Sequence, residues 1–116
     1  MSNFDFVCTY CQRIDTTDPP TLCVCGQPLE VQYQWDKPIS QNDIDVSDTS
    51  MWRYRKFLPS VEPKHIISLG EGWTPLTKAE MFNGVRYSLK DETVNPTGSF
   101  KDRGMSMAIS MARQSG

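Results

Sequence analysis

Apolar and polar residues alternate in two stretches of the chain, residues 29–35 and residues 85–90. A period of two is typical of a strand. In the first stretch it indicates a strand with one buried face, and in the second Val85, Tyr87 and Leu89 lie on one face. The short apolar run at residues 66–69 also predicts a strand. Residues 77–82 favour a single helical turn that ends at an Asn-Gly pair.

A helix is predicted from Phe100 to about Gln114. Its apolar residues recur at i, i+3, i+4 and i+7, and two further methionines widen the stripe; they are Met105, Ala108, Ile109 and Ala112, with Met107 and Met111. We expect this face to pack in a core rather than to bind a ligand. Gly104 costs about 1 kcal/mol of helix propensity relative to alanine, which suggests a close approach by another backbone. Gly116 is placed to cap the helix end.

The turn before this helix contains Pro96, which fixes φ, and Gly98, which permits a positive φ. Ser99 and Asp102 have the spacing of a capping box. Lys101 then lies in the first helical turn, where unpaired backbone N–H groups disfavour an ammonium and so favour the free amine. Such an amine is suited to forming a Schiff base with an aldehyde. A solvated lysine on an ordinary helix is the alternative.

Four cysteines cluster near the N-terminus in two pairs, Cys8 with Cys11 and Cys23 with Cys25. In a reducing compartment, such a cluster favours a metal site over disulfides. The first pair has ordinary zinc-knuckle spacing, whereas the second is shorter and requires a tight turn, which Gly26 would permit. Together with the strand at residues 29–35, the pattern predicts a small zinc ribbon with a structural site. A ribbon without metal and a set of free thiols stay open as alternatives, and His65 is expected at the surface rather than as a ligand.

The middle of the chain carries weaker signals. Residues 36–50 are polar and acidic, which is typical of a solvated linker. Residues 51–59 predict a short aromatic and basic helix that stops at Pro59. Further along, two glycines flank Glu71. Paired glycines let a backbone approach a cofactor or substrate closely, and a structural turn is an equally weighted alternative.

Composition narrows the function classes. The 116 residues carry a net charge of −2 and 38% hydrophobic residues, which argues against a general binder of nucleic acid or membrane surfaces. No apolar run reaches the roughly 20 residues needed to span a bilayer, and the first residues lack the features of a secretory signal. We therefore expect a cytoplasmic chain of one domain, or a piece of one.

Four motifs, in this order, resemble those of threonine synthases, which are fold-type-II enzymes that depend on pyridoxal 5′-phosphate. They are Cys8-Thr9-Tyr10-Cys11, Met51-Trp52-Arg53-Tyr54-Arg55, Ser68 to Leu76 (SLGEGWTPL) and Asn95 to Gly104 (NPTGSFKDRG). The motifs extend over most of the chain, and four in order are more specific than any one. The resemblance implies that Lys101 forms the Schiff base with the cofactor, beside Ser99 and Phe100. It also implies the elimination of phosphate from O-phosphohomoserine and the addition of water to give threonine.

The resemblance further implies an architecture, which is a small, fragmentary α+β structure. A zinc-ribbon-like β unit at residues 1–35 would precede a linker and docking helix at residues 36–64, with Trp52, Tyr54 and Phe57 as docking contacts. Residues 65–116 would begin a tryptophan-synthase-β-like α/β domain with its first strand, turn and helix.

In the family, the glycine-rich loop that binds the cofactor phosphate and the groups that contact the ring come later in the sequence. We therefore expect an N-terminal fragment that is weak or inactive alone. We also expect it to form a homo-oligomer, or to associate in another way, through its exposed apolar helix. Two other interpretations stay open: a metal-stabilised interaction module without catalysis, and another fold-type-II enzyme acting on a β- or γ-substituted amino acid.

Overall fold

The fold joins a small sheet, a hairpin and one long helix, and the computed structural model describes residues 3–17, 20–35 and 38–116. The strands are β1 (Phe4–Cys8), β2 (Ile14–Asp15), β3 (Leu29–Tyr33), β4 (Glu80–Phe82) and β5 (Val85–Tyr87), and the helix is α1 (Lys101–Ser115). Short 3-10 helices cover Gln41–Asp43, Met51–Phe57, Pro63–His65 and Glu92–Val94. The prediction of a small α+β structure is confirmed.

The N-terminal sheet has the strand order β2-β1-β3 with antiparallel pairing throughout. The predicted strand at residues 29–35 is confirmed as β3, which ends at Tyr33; the rings of Tyr33 and Trp35 then stack with centroids 4.9 Å apart. Few side chains are buried in this unit. Val7, Cys8 and Cys23 are the fully buried ones among its described residues, so its apolar core is very small.

Two secondary-structure predictions are wrong. Residues 77–82 do not form a helical turn, because Glu80–Phe82 pairs with Val85–Tyr87 as an antiparallel hairpin. Asn83 and Gly84 join the strands with φ values of 49° and 79°, which is the backbone of a tight hairpin turn. Residues 66–69 do not form a strand. The backbone of Ile67 is instead bonded by side chains of α1, since its N–H donates to Ser110 Oγ at 2.8 Å and its carbonyl accepts from Ser106 Oγ at 2.8 Å.

The helix prediction is confirmed to within one residue at each end, but its buried face differs from expectation. Ser106 and Ser110 are the buried residues of α1, whereas Met105 is 54% exposed and Ile109 45% exposed. The predicted apolar stripe therefore has no covering core among the described residues. A Cβ at Gly104 would meet no atom within 4 Å, so the predicted close approach of another backbone is absent there as well.

The C-terminal end of α1 agrees with the sequence prediction. Gly116 caps the helix as predicted, with φ 108° and its N–H bonded to Ala112 O at 3.2 Å.

Within the described part of the chain, no helix is long and apolar enough to cross a membrane.

The segment Met51–Phe57 fixes α1 to the rest of the chain. It is a 3-10 helix with non-helical dihedral angles at Tyr54 rather than a regular α-helix. Of the three predicted docking residues, Trp52 is 3% exposed and its Nε1 donates to Ser106 Oγ at 2.9 Å. Tyr54 and Phe57 instead contact each other edge to face, and Tyr54 is 42% exposed. The preceding linker is described from residue 38, so residues 36 and 37 of that prediction lie outside the described residues.

Candidate functional site

Lys101 is the first residue of α1 and lines a cavity of about 520 Å³. Ser99, Thr97 and Glu71 line the same cavity, together with an apolar wall made of Ile67, Leu69, Met105 and Ile109. The cavity thus combines a primary amine, hydroxyl groups and a carboxyl with apolar side chains. This mixture suits a ligand with a flat apolar body and polar substituents.

The start of α1 is held by a different contact from the predicted capping box. Phe100 occupies the cap position and makes no side-chain cap bond. The Asp102 carboxylate accepts from the backbone N–H of Thr97 at 2.8 Å and from the Thr97 hydroxyl, while Ser99 Oγ accepts from the N–H of Lys101 at 3.2 Å. Gly98 has φ 74°, as its predicted role requires. The turn is therefore fastened to the helix from both sides of Lys101.

The three predicted cofactor contacts are distributed unevenly. Ser99 and Lys101 line the cavity, whereas Phe100 lies outside the set of lining residues and is 62% exposed. The Nζ of Lys101 lies 4.9 Å from the centroid of the Phe100 ring. None of the ion pairs within the described residues involves Lys101, so its amine stays available for a ligand.

An ion pair behind the lysine ties α1 to the preceding turn. Arg103 Nε donates to Glu92 Oε2 at 2.9 Å and Arg103 Nη2 donates to Glu92 Oε1 at 3.0 Å, with a further bond to Thr74 Oγ1 at 3.1 Å. Bonds from Arg103, then from Thr74, lower the pKa of Glu92 to about 2 against the opposing effect of burial, and the carboxylate in turn raises the pKa of Arg103. This bidentate geometry fixes the direction of the first helical turn.

Asn95 extends this network to the glycine pair. Its Nδ2 donates to Glu92 Oε2 at 2.9 Å and its Oδ1 accepts from the N–H of Gly72 at 3.0 Å. Gly72 has φ 106°, and a Cβ there would lie 2.7 Å from the backbone nitrogen of Met51. The close approach that this glycine permits is therefore to Met51, which favours the structural alternative for Gly72.

Glu71 is only 1% exposed although it lines the lysine cavity. Its Oε2 accepts from Ser68 Oγ at 3.0 Å and from the N–H of Leu69 at 2.8 Å. Its Oε1 is buried with no hydrogen-bond partner among the described residues. A buried acceptor without a donor costs free energy. Glu71 Oε1 could therefore accept a hydrogen bond from a ligand in this cavity.

The four cysteines converge at the far end of the chain. Their sulfur atoms all lie within 4.8 Å of one another, and neighbouring pairs are 3.5 Å (Cys8–Cys25), 3.6 Å (Cys11–Cys23) and 3.8 Å (Cys11–Cys25) apart. The N–H groups of Tyr10 and Cys11 both point at Cys8 Sγ from 3.4 Å. Gly26 makes the predicted tight turn with φ 80° and a 2.7 Å bond to Cys23 O. His65 is not part of the cluster.

The pKa values of two cysteines in the cluster are shifted in opposite directions. The backbone N–H of Cys11, assisted by that of Tyr10 and by neighbouring thiols, lowers the pKa of Cys8 to about 6 despite burial. The N–H of Cys25 lowers the pKa of Cys23, but burial and the other thiols outweigh it and raise that pKa to about 12. A cluster that already stabilises one thiolate has the donor set that a soft, tetrahedral cation requires.

The chain is similar in sequence to known proteins. Residues 67–116 match the family described as pyridoxal-phosphate dependent enzyme. The chain is 36% identical to a threonine synthase of Methanocaldococcus jannaschii over 101 residues, which is 81% of this chain and 25% of that protein. It is 37% identical to one of Methanosarcina acetivorans (83% of this chain, 24% of that protein) and 47% identical to one of Halalkalibacterium halodurans (58% and 21%).

The chain thus spans about a quarter of the length of these curated relatives. No solved structure gives a significant match.

Proposed function

We propose, on the premise that this chain belongs to the pyridoxal-phosphate-dependent enzymes related to threonine synthase, that Lys101 is the residue that binds the cofactor covalently. The observation that carries the proposal is the position of its amine, at the first residue of α1 and on the wall of a cavity shared with Ser99. The reaction we infer is a lyase reaction on a small amino-acid phosphate, namely conversion of O-phosphohomoserine to threonine and phosphate.

The residues present fit this cofactor because they offer an unpaired primary amine, nearby hydroxyl groups and an apolar wall. When bound, pyridoxal 5′-phosphate supplies an electron sink that stabilises negative charge beside the substrate amine. The chain's own contribution is to place the Nζ of Lys101 where it can bind the aldehyde and later carry a proton. The Thr97–Asp102 and Arg103–Glu92 contacts keep the helix start, and with it that nitrogen, in place.

Catalysis needs further contacts to the cofactor, and we propose that residues outside this chain supply them. Two facts support this: the chain spans about a quarter of its relatives, and the apolar face of α1 is exposed at Met105 and Ile109. Residues 65–116 would then begin the catalytic domain, after a unit at 1–35 and a linker at 36–64. The chain alone would turn over O-phosphohomoserine weakly or not at all.

Absorption spectroscopy tests the role of Lys101. The full chain is titrated with pyridoxal 5′-phosphate, and we expect a visible band of the lysine–aldehyde linkage that is lost in Lys101→Ala. Lys78→Ala is the matched control, because Lys78 is an exposed lysine elsewhere on the surface, and it should retain the band. Identical spectra for wild type and Lys101→Ala would refute the proposal for this chain.

A second function, structural zinc binding by the four cysteines, is favoured by the sulfur geometry. With Zn–S distances of about 2.3 Å, a regular tetrahedron places its sulfurs about 3.8 Å apart. Three of the sulfur pairs lie between 3.5 and 3.8 Å, and all four sulfurs lie within 4.8 Å of one another. The two N–H groups at Cys8 Sγ would also stabilise a metal-bound thiolate. Four protein ligands leave no open position, so this metal would support folding or an interaction surface rather than chemistry.

Metal analysis of the purified chain tests this second function. We expect one zinc per chain, with loss of most of it in Cys8→Ser and in Cys23→Ser. Thr9→Ser is the matched control, because Thr9 is exposed within the same loop and contributes no sulfur. Full zinc retention in both cysteine variants would end the assignment.

A further inference from the structure

A second cavity, of about 500 Å³, collects positive charge although the whole chain has a net charge of −2. Arg53, Lys90 and Arg103 line it, with Glu92 as its only carboxylate among the described residues. Because Arg103 and Glu92 neutralise each other in their bidentate pair, two positive charges are left without a counter-ion. None of the lining residues is shared with the Lys101 cavity.

Arg53 is held in place without being neutralised. Its guanidinium carbon lies 4.3 Å from the ring centroid of Trp73 and 5.6 Å from that of Tyr54. Its Nε is buried with no hydrogen-bond partner among the described residues, and no ion pair of those residues includes it. Stacking on an aromatic face fixes the plane of a guanidinium and leaves its edge free to bind an anion.

The platform under Arg53 is itself built at a cost. Trp73 has φ 45°, a left-handed and strained conformation that bulky residues rarely adopt. This backbone is held between Gly72, whose N–H bonds to Asn95, and Thr74, which bonds to Glu92 and Arg103. The strain places the indole in the cavity wall, where it contacts Arg53.

Lys90 is the second cation of this cavity that has no counter-ion among the described residues. Its Nζ donates to the carbonyl oxygen of Thr74, which holds the ammonium at the cavity and leaves two N–H bonds for another acceptor. A planar arginine edge beside a lysine ammonium suits phosphate, since arginine contributes paired hydrogen bonds and lysine a point charge. A dianion also matches the two uncompensated charges, which a single carboxylate does not.

We propose that this cavity, formed by Arg53, Lys90 and the Arg103–Glu92 pair against Trp73, is a binding site for the phosphate group of a small molecule. Trp73 and Tyr54 are 56% and 42% exposed, so apolar surface remains beside the cavity for an apolar body attached to that phosphate. A nucleic acid is not the expected ligand, because the surrounding chain is acidic overall. The inference does not depend on the role of Lys101.

Isothermal titration calorimetry of the full chain tests the site, with inorganic phosphate and phenyl phosphate as probes and sodium chloride of matched ionic strength as the blank. We expect saturable one-to-one binding of at least one probe and no saturable signal with chloride. The probe that binds more tightly identifies free phosphate or a phosphorylated small molecule as the ligand type, and either order supports the site.

Variants make the test specific. Arg53→Gln should weaken binding about tenfold or more, because it removes charged hydrogen bonds, whereas Arg86→Gln, on strand β5 and outside the cavity, should bind like wild type. Lys90→Gln is the second variant if Arg53→Gln does not fold, and it should weaken binding as well. Lys101→Ala should leave binding unchanged, which separates this site from the proposed cofactor lysine. The proposal is overturned if neither probe binds, if chloride gives the same signal, or if the folded Arg53 or Lys90 variant binds as tightly as wild type.

Discussion

The cysteine unit at residues 3–35 and the lysine region at residues 66–116 both have few buried apolar side chains, but they differ in what they bury. The cysteine unit buries Val7, Cys8 and Cys23 and little else among its described residues. The lysine region has a polar network instead. Ser106 and Ser110 are buried against Ile67, and the half-buried pair of Arg103 and Glu92 surrounds buried Thr74, while the apolar helix face stays exposed.

This difference indicates what each region needs. Under the proposed zinc binding, the converging thiols of a unit with almost no apolar core are stabilised by a cation that draws them together. A network of directed hydrogen bonds contributes little net free energy to folding, but it fixes the positions of its side chains. Fixed positions are what the proposed reactive amine at the helix start requires. The account therefore predicts that metal controls the first region and side-chain placement the second.

The largest expected effect is on the cysteine unit. Removal of the proposed zinc with a strong chelator should unfold β1, β2 and β3, because structural zinc provides most of the folding free energy of such small units. Amide hydrogen exchange resolved by peptide should show lost protection at residues 3–35 and retained protection in α1. Uniform protection before and after chelation would contradict the contrast between the regions.

The next largest effect is expected at Trp52, which joins the middle segment to α1. Trp52→Ala should lower the free energy of unfolding by about 3–5 kcal/mol, because it removes a buried indole and its bond to Ser106. Trp35→Ala is the matched control; Trp35 is 42% exposed and its ring stacks on Tyr33, so about 1 kcal/mol or less is expected. Denaturant unfolding followed by circular dichroism measures both, and equal losses would show that Trp52 does not join the segments.

Two glycines of the lysine region should respond with opposite signs. Gly72→Ala should destabilise by roughly 1–3 kcal/mol or more, because a Cβ would meet Met51 N at 2.7 Å and φ is 106°. Gly104→Ala should stabilise by about 0.5–1 kcal/mol, since its position is helical and open. Thermal and denaturant unfolding of both variants check the pair, and a stabilised Gly72 variant would remove the case for close packing on Met51.

The smallest effect is a pH dependence of the lysine region. The pKa of Glu92 falls from 4.5 to about 2 on folding, so the unfolded chain binds more protons in that window. Its stabilising contribution is therefore complete above about pH 4.5 and lost as the pH falls towards 2. Unfolding of wild type and Glu92→Gln across this range should show a smaller slope in the variant, and parallel curves would exclude Glu92 as the titrating group.

Local patterns predicted those parts of the molecule that depend on neighbours in sequence. The strand β3, the helix α1, the positive φ of Gly98 and the convergence of two cysteine pairs all follow from spacing within a few residues. In the polar network, Arg103 lies 11 positions from Glu92 and 29 positions from Thr74. Arg53 stacks on Trp73, which lies 20 positions further along the chain. Side-chain pairing over such separations leaves no periodic signal, so these contacts were not predicted, although most of the residues lie within the quoted motifs.

The errors have the same origin. Residues 77–82 have a helical composition at Thr77 to Glu80, but pairing with β5 overrides that local preference. Residues 66–69 read as a strand because they are apolar, yet the partner of Ile67 is a pair of serines on α1. The capping box failed because Asp102 bonds to Thr97 rather than to Ser99, a choice that depends on the whole turn.

Peptide mapping after borohydride reduction tests the central claim most directly. The full chain is incubated with pyridoxal 5′-phosphate, reduced, digested and analysed by mass spectrometry for each lysine. The account predicts that the modification concentrates on Lys101, and that in Lys101→Ala it is not transferred to Lys78 or Lys90. A label spread over the exposed lysines, with Lys101 modified no more than Lys78, would contradict it.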